Sequence, residues 1–211
     1  MADPAKARRT DAELWAELEA LPANQKGEII DGELYTMPRP RPRYARVATV
    51  LGRYVGGAFD FDEDGPGGWV ILVEPGVELP SAPEIAPDVA GWRRERFAWP
   101  EGDEPLQLVP DWVCEVLSPS NAAYDRRVKF PFYARAGVSW LWVVDPRDRT
   151  VEVRKLDGGR WSVIGTFAGD EPMCAEPFDA IEIPLSLLWV GPDTQVPTLI
   201  RGGPGADQTS R

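Results

Sequence analysis

Apolar positions along the chain fall into blocks of helical and strand spacing that alternate with turn residues. Thr10 followed by Glu13 has the spacing of a capping box, and Leu14, Leu18 and Leu21 recur at helical intervals until Pro22, which predicts a short amphipathic helix. Gly27-Glu28-Ile29-Ile30 and Glu33-Leu34-Tyr35-Thr36-Met37 flank Asp31-Gly32, a dipeptide suited to a tight hairpin, so two antiparallel strands are expected. From Pro38 to Arg43 proline alternates with arginine; every second amide donor is missing, which predicts an extended basic loop. Val47, Val50, Leu51, Tyr54 and Val55 return to helical spacing, with a stop expected at Gly56-Gly57.

An acidic loop at 61–65 precedes expected strands at 69–73 and 77–79, and Pro83 and Pro87 should bracket a turn before a brief strand at 88–91. The segment 111–117 is rich in strand formers and is stopped by Ser118-Pro119-Ser120-Asn121. A helix is expected over 122–136, with Pro131 arguing for a kink and Gly137 for the stop. The almost wholly apolar 140–144 predicts a strand buried on both faces, followed by the turn Asp145-Pro146-Arg147-Asp148 and a strand at 151–156. Edge strands at 161–166 and 180–183 and a last helical turn at 185–189 complete the pattern. Strands on both sides of a central helix give an α+β, or mixed α/β, class. The expected organisation is an N-terminal helix and arm over 1–23, one domain over 24–190 and a polar tail over 191–211.

Composition narrows the chemistry. The 211 residues carry 34 acidic and 23 basic side chains, net −11, so no global field attracts a polyanion, and any contact with one needs a local patch or a metal. Histidine is absent, which excludes Ser-His-Asp and Cys-His nucleophile systems and every histidine-based zinc site. Cys114 and Cys174 lack CxxC spacing and read as buried free thiols of a reducing cytoplasm. With no signal-peptide pattern and no run of 18 apolar residues, a soluble cytoplasmic protein without a membrane partner is expected. Neither a GxGxxG nor a GK[ST] motif is present, which argues against Rossmann and P-loop sites. Residues 54–125 carry 3 basic against 15 acidic side chains, whereas 126–155 carry 8 against 3. An acidic centre followed by a basic segment suits carboxylates that hold a divalent cation beside groups that grip phosphate; solvated loops of either sign account for many of the same charges.

Two acids stand out by position. Glu115 interrupts the apolar strand Trp112-Val113-Cys114-Glu115-Val116-Leu117, where a charge is costly unless paired or bound to a cation, and Asp88 opens a small apolar strand after Pro87. Taken singly, Glu115 also suits the polar face of a strand and Asp88 the cap of a turn.

The blocks Gly27–Leu34, Ala86-Pro87-Asp88-Val89 and Pro110–Ser120, then Asp125, Lys129, Tyr133, Ala136-Gly137-Val138 and Trp142–Pro146, resemble the Uma-two family of restriction-endonuclease-like proteins in the PD-(D/E)XK nuclease superfamily. The resemblance runs from about Gly27 to Leu188. It implies a central mixed sheet flanked by helices with additional antiparallel hairpins, and a metal-dependent DNA endonuclease, with a homodimer open as its assembly. Carried over by position, it makes Asp88 and Glu115 the acids that hold Mg²⁺ or Mn²⁺. The superfamily lysine two residues after the glutamate is missing, since Leu117 stands there, and Lys129 on the following helix is the matching replacement. Helical spacing would set Asp125 one turn from Lys129 as its partner. Glu28 matches a further family acid. Many relatives carry a histidine where this chain has Tyr44; a phenol donates a hydrogen bond but is a poor proton acceptor. Arg39, Arg41, Arg43 and Arg46 are the candidates for nucleic-acid backbone contacts. Two rivals stand beside this reading. One is an inactive nuclease-fold interaction module, and the other a carboxylate-pair glycoside hydrolase with tryptophan sugar platforms.

Overall fold

A computed structural model describes residues 9–190, so the polar tail expected over 191–211 and the first part of the N-terminal arm lie outside the described residues. Helix α1 (Asp11–Glu19) starts at the expected capping box, with both reciprocal bonds between Thr10 and Glu13 formed. Strands β1 (Gln25–Ile30) and β2 (Glu33–Pro38) make the hairpin about Asp31-Gly32, both of which have positive φ as its tight turn requires. The basic segment is less extended than the proline spacing suggests. Helix α2 (Pro42–Phe59) takes Pro42 into its first turn, where a missing N–H costs nothing, and only Arg39 to Arg41 remain as loop. It also runs through Gly56-Gly57 to Phe59, because Val55, Gly56, Ala58 and Phe59 are buried and packing outweighs the glycine preference to stop.

Strands β3 (Trp69–Val73), β4 (Val77–Leu79), β5 (Ala82–Ile85) and β6 (Val89–Arg93) follow. The turn expected between Pro83 and Pro87 is in part strand β5, which lies between β4 and β1; its pairing is sparse and irregular and leaves Pro83 out of both ladders, so the missing N–H is tolerated. Strand β7 (Trp112–Val116) is buried throughout. The helix expected over 122–136 forms as α3 (Ala122–Tyr124), a π turn over Asp125–Lys129, and α4 (Phe130–Ala136). Phe130 N–H reaches back five residues to Asp125 O, and this wide turn absorbs the ring and the lost donor of Pro131 that would otherwise break the helix. Gly137 ends it with φ 88°, a left-handed cap. Strands β8 (Trp140–Asp145), β9 (Thr150–Asp157) and β10 (Arg160–Ala168) come next. In place of an edge strand over 180–183, two-residue strands β11 (Pro172–Met173) and β12 (Ile183–Pro184) pair with each other, followed by one turn of 3₁₀ helix at Leu185–Leu187.

The large sheet has the order β10-β9-β8-β7-β6-β3, antiparallel except for the pair β7 and β8, which the α3–α4 segment joins. The small sheet has the order β2-β1-β5-β4. Alternation along β7 divides two cores. Trp112, Cys114 and Val116 face α2 and the C-terminal loop, while Val113 and Leu117 face α4 and the small sheet. Phe178 anchors the first core, with its ring 4.7–5.6 Å from those of Phe59, Trp69, Trp112 and Trp142. Of the two thiols expected to be buried, Cys114 is and Cys174 is exposed. No helix among the described residues is long and apolar enough to cross a membrane.

Candidate active site

The pleat of β7 that sends Val113 and Leu117 to the small-sheet side sends Glu115 there too. The register sets Val89 of β6 opposite Cys114, so Asp88, one residue earlier, falls beside Glu115 and Val116. Val116 N–H donates to Asp88 Oδ2 at 2.7 Å. Strand β1 contributes Lys26 and Glu28, two residues apart and therefore on one face. Glu28, Asp88, Glu115, Asp125 and Lys129 are all buried.

Lys129 lies at the centre of this group, 2% exposed. Its Nζ is 2.7 Å from Glu115 Oε1 and 3.2 Å from both Glu28 Oε1 and the carbonyl of Ala86. The contacts to Glu28 and Ala86 are hydrogen bonds and that to Glu115 is an ion pair, and together they enclose the ammonium. Burial works against its charge, but Glu115 and Glu28 outweigh burial and hold it well above the ordinary lysine range. Glu115 also accepts from Tyr133 OH at 2.6 Å, and Glu28 from Tyr124 OH and from Ala86 N–H at 3.2 Å. Desolvation pushes the carboxyls of Glu115 and Asp88 upward, against Lys129 for the first and Lys26 for the second. Asp125 is raised to about 7, again chiefly by burial. The expected Asp125–Lys129 ion pair does not form. In a π turn, residues four apart no longer stack as they do in an α-helix; Lys129 turns to Glu115 and Glu28, and Asp125 Oδ2 is buried with no hydrogen-bond partner.

Asp88 lines a cleft of about 670 Å³ together with Lys26, Arg39, Arg41 and Tyr44 from the β1-to-α2 region and with Ser118, Ser120 and Asn121 from the loop after β7. Asn121 Oδ1 accepts from Ser118 N–H at 2.6 Å and from its hydroxyl at 2.8 Å, which shapes that loop. The arginine cluster is divided. Arg39 and Arg41 line the cleft, whereas Arg43 is exposed outside it and Arg46 donates to Leu187 O at 3.2 Å. The basic segment 126–155 is largely spent on internal pairs: Arg135 with Asp31, Arg147 with Asp145, Arg149 with Asp170, Arg154 with Glu152 and Lys155 with Glu176. Sequence reasoning missed Lys26, whose Nζ is 3.2 Å from Glu74 Oε1 and 3.8 Å from Asp88 Oδ1, and the phenols of Tyr124 and Tyr133. The signal for the phenols was available, since a tyrosine on a helix face that packs against acids needs a partner for its hydroxyl.

Among the described residues no three His, Cys, Asp or Glu side chains converge as a metal-binding group. The donor chemistry nevertheless fits a hard cation. Three acids (Glu28, Asp88, Glu115) pair with two ammoniums (Lys26, Lys129), and the buried Asp125 Oδ2 adds an unsatisfied oxygen.

A sequence model of the Uma2 family, described as "Putative restriction endonuclease", matches residues 15–186. No curated protein matches the sequence significantly. In three dimensions the chain is similar to a crystal structure from Anabaena variabilis titled a putative nuclease belonging to DUF820, at TM-score 0.64 and 18% identity, over 83% of this chain and 96% of that one. At that identity the likeness establishes the fold.

Proposed function

The chain belongs to the Uma2 family, and from that membership we propose that it is a metal-dependent DNA endonuclease of the cytoplasm that hydrolyses phosphodiester bonds. The observation that carries the reading is the pair Asp88 and Glu115, set on adjacent strands behind a cleft with Arg39 and Arg41 on its wall. Mg²⁺ or Mn²⁺ would be held by Asp88, Glu115 and the main-chain carbonyl of Val116, all hard oxygen donors. When bound, the metal lowers the pKa of a water and offsets charge on the scissile phosphate.

The protein's own groups do the positioning. Tyr133 OH and the Lys129 ammonium fix the Glu115 carboxylate, and the Val116 amide fixes that of Asp88. Arg39 and Arg41 hold the nucleic-acid backbone without reading its bases. Tyr44, on the same wall, donates a hydrogen bond to a phosphate oxygen but does not replace a histidine as a base. Plasmid cleavage is expected with Mn²⁺ and absent in EDTA, and Glu115→Gln should remove it together with the calorimetric signal of Mn²⁺ binding. Equal cleavage and equal Mn²⁺ binding by Glu115→Gln would refute the site.

One observation favours a second reading, a non-catalytic nuclease-fold module. Glu115 Oε1 is already shared by Lys129 and Tyr133, which leaves it a poorer metal ligand. Oligonucleotide binding without cleavage in Mn²⁺ would select that reading.

A further inference from the structure

The lysine buried among the acids and the lysine that lines the cleft are different residues. Lys129 is 2% exposed, hydrogen-bonded to Glu28 and Ala86 O, ion-paired with Glu115 at 2.7 Å, and not part of the cleft lining, so its charge is committed to the acids rather than to a ligand. Lys26 is placed otherwise. Its side chain is 18% exposed, lines the cleft, and makes one hydrogen bond, to Glu74 Oε1 at 3.2 Å. Asp88 Oδ1, at 3.8 Å, attracts it without accepting a hydrogen bond. Two of its N–H directions are therefore uncommitted among the described residues.

The backbone holds Lys26 in that place from two sides. Along β1 it precedes Glu28 on the same face by one strand repeat, roughly 6.6 Å, so it continues the row of acid and cation contacts away from Lys129. Glu74 sits at φ 48°, a conformation glycine adopts without penalty and glutamate does not, and its N–H donates to Asp88 O at 3.1 Å. A strained glutamate tied to the Asp88 backbone thus presents its carboxylate to Lys26.

We propose that Lys26 is the cation that grips the phosphate next to Asp88, while Lys129 serves by holding Glu115 and Glu28 in position. This rests on the preceding section in one respect, that the occupant of the cleft is a phosphodiester. A compact ammonium with free donors suits a phosphate oxygen, and Arg39 and Arg41 continue the positive wall from that point.

The test is fluorescence anisotropy of a labelled single-stranded oligonucleotide in Mn²⁺ across a salt series, with cleavage rates from the same samples. Lys26→Gln keeps a donor for Glu74 and so preserves the fold, which thermal unfolding checks; Lys26→Arg keeps the charge. Lys155→Met, on β9 outside the cleft, controls for net charge. Lys26→Gln should bind about 10-fold more weakly, with the slope of log affinity against log salt shallower by about 0.7. Where the wild type cleaves, Lys26→Gln should lose about 100-fold in kcat, and Lys26→Arg should recover affinity but little of kcat. Affinity and slope equal to those of Lys155→Met would overturn the assignment, as would a wild type that binds no oligonucleotide. Binding without cleavage by the wild type sinks the nuclease reading alone; a shallower slope for Lys26→Gln in that case supports the role of Lys26.

Discussion

Asp125 keeps its proton to about pH 7 because desolvation outweighs the attraction of Lys129, with Asp88 and Glu28 adding to the shift. In the unfolded chain the same carboxyl titrates near 3.8. Below that value both states are protonated. As pH rises from about 4 to 7 the unfolded state releases its proton while the folded state retains it, so stability falls through this window and the loss is complete above it. Asp88 and Glu115, shifted upward by burial, act in the same direction. The Tm of metal-free protein should therefore drop by several degrees across that window, and Asp125→Asn should flatten the profile and raise Tm at neutral pH. A variant whose profile parallels the wild type would contradict the buried state of this acid. At this scale Glu115 was legible in the sequence because a charge inside an apolar strand demands a partner. Lys26 was not, since Gln25-Lys26-Gly27 reads as an ordinary polar strand end and its partners, Glu74 and Asp88, are remote along the chain.

At the scale of elements, the helix over 122–136 was expected with its position right and its geometry wrong. Proline at 131 predicts a defect but not its kind; the defect is a π turn, and it decides which residue Lys129 meets. The segment Pro38 to Arg43 was expected as loop because a proline pattern does not say which proline opens a helix, and Pro42 does. Gly137 was read correctly, as a stop that requires the left-handed region. Gly137→Ala should cost about 1 kcal/mol, visible as a lower urea midpoint at unchanged m value, because a Cβ is disfavoured at φ 88° even where space is open. An unchanged midpoint would mean that the cap relaxes without cost.

For the whole molecule, the net charge of −11 sets the terms of any encounter with a polyanion. The sheet covered on both faces was legible from the almost wholly apolar run 140–144, whereas the pairing of the small sheet was not, because β1, β4 and β5 are short and meet through few residues. Nor did the charge count reveal that most of the basic segment is consumed by internal ion pairs. What is left for a nucleic acid is a small set of cations beside a cluster of acids, so affinity for an oligonucleotide should fall steeply with salt and collapse in EDTA. Tight binding in EDTA that is indifferent to salt would show that contact is made elsewhere and without the acids.

The fixed ammonium of Lys129 has an effect on the history of such a protein. It supplies from within the chain a positive charge that the acids would otherwise have to borrow from solution, so assembly of the fold does not wait on metal supply. With the proposed metal site, a chain built in this way would keep its fold through starvation for divalent ions. For the same reason a lineage can lose its chemistry one ligand at a time and keep a sound scaffold for other uses.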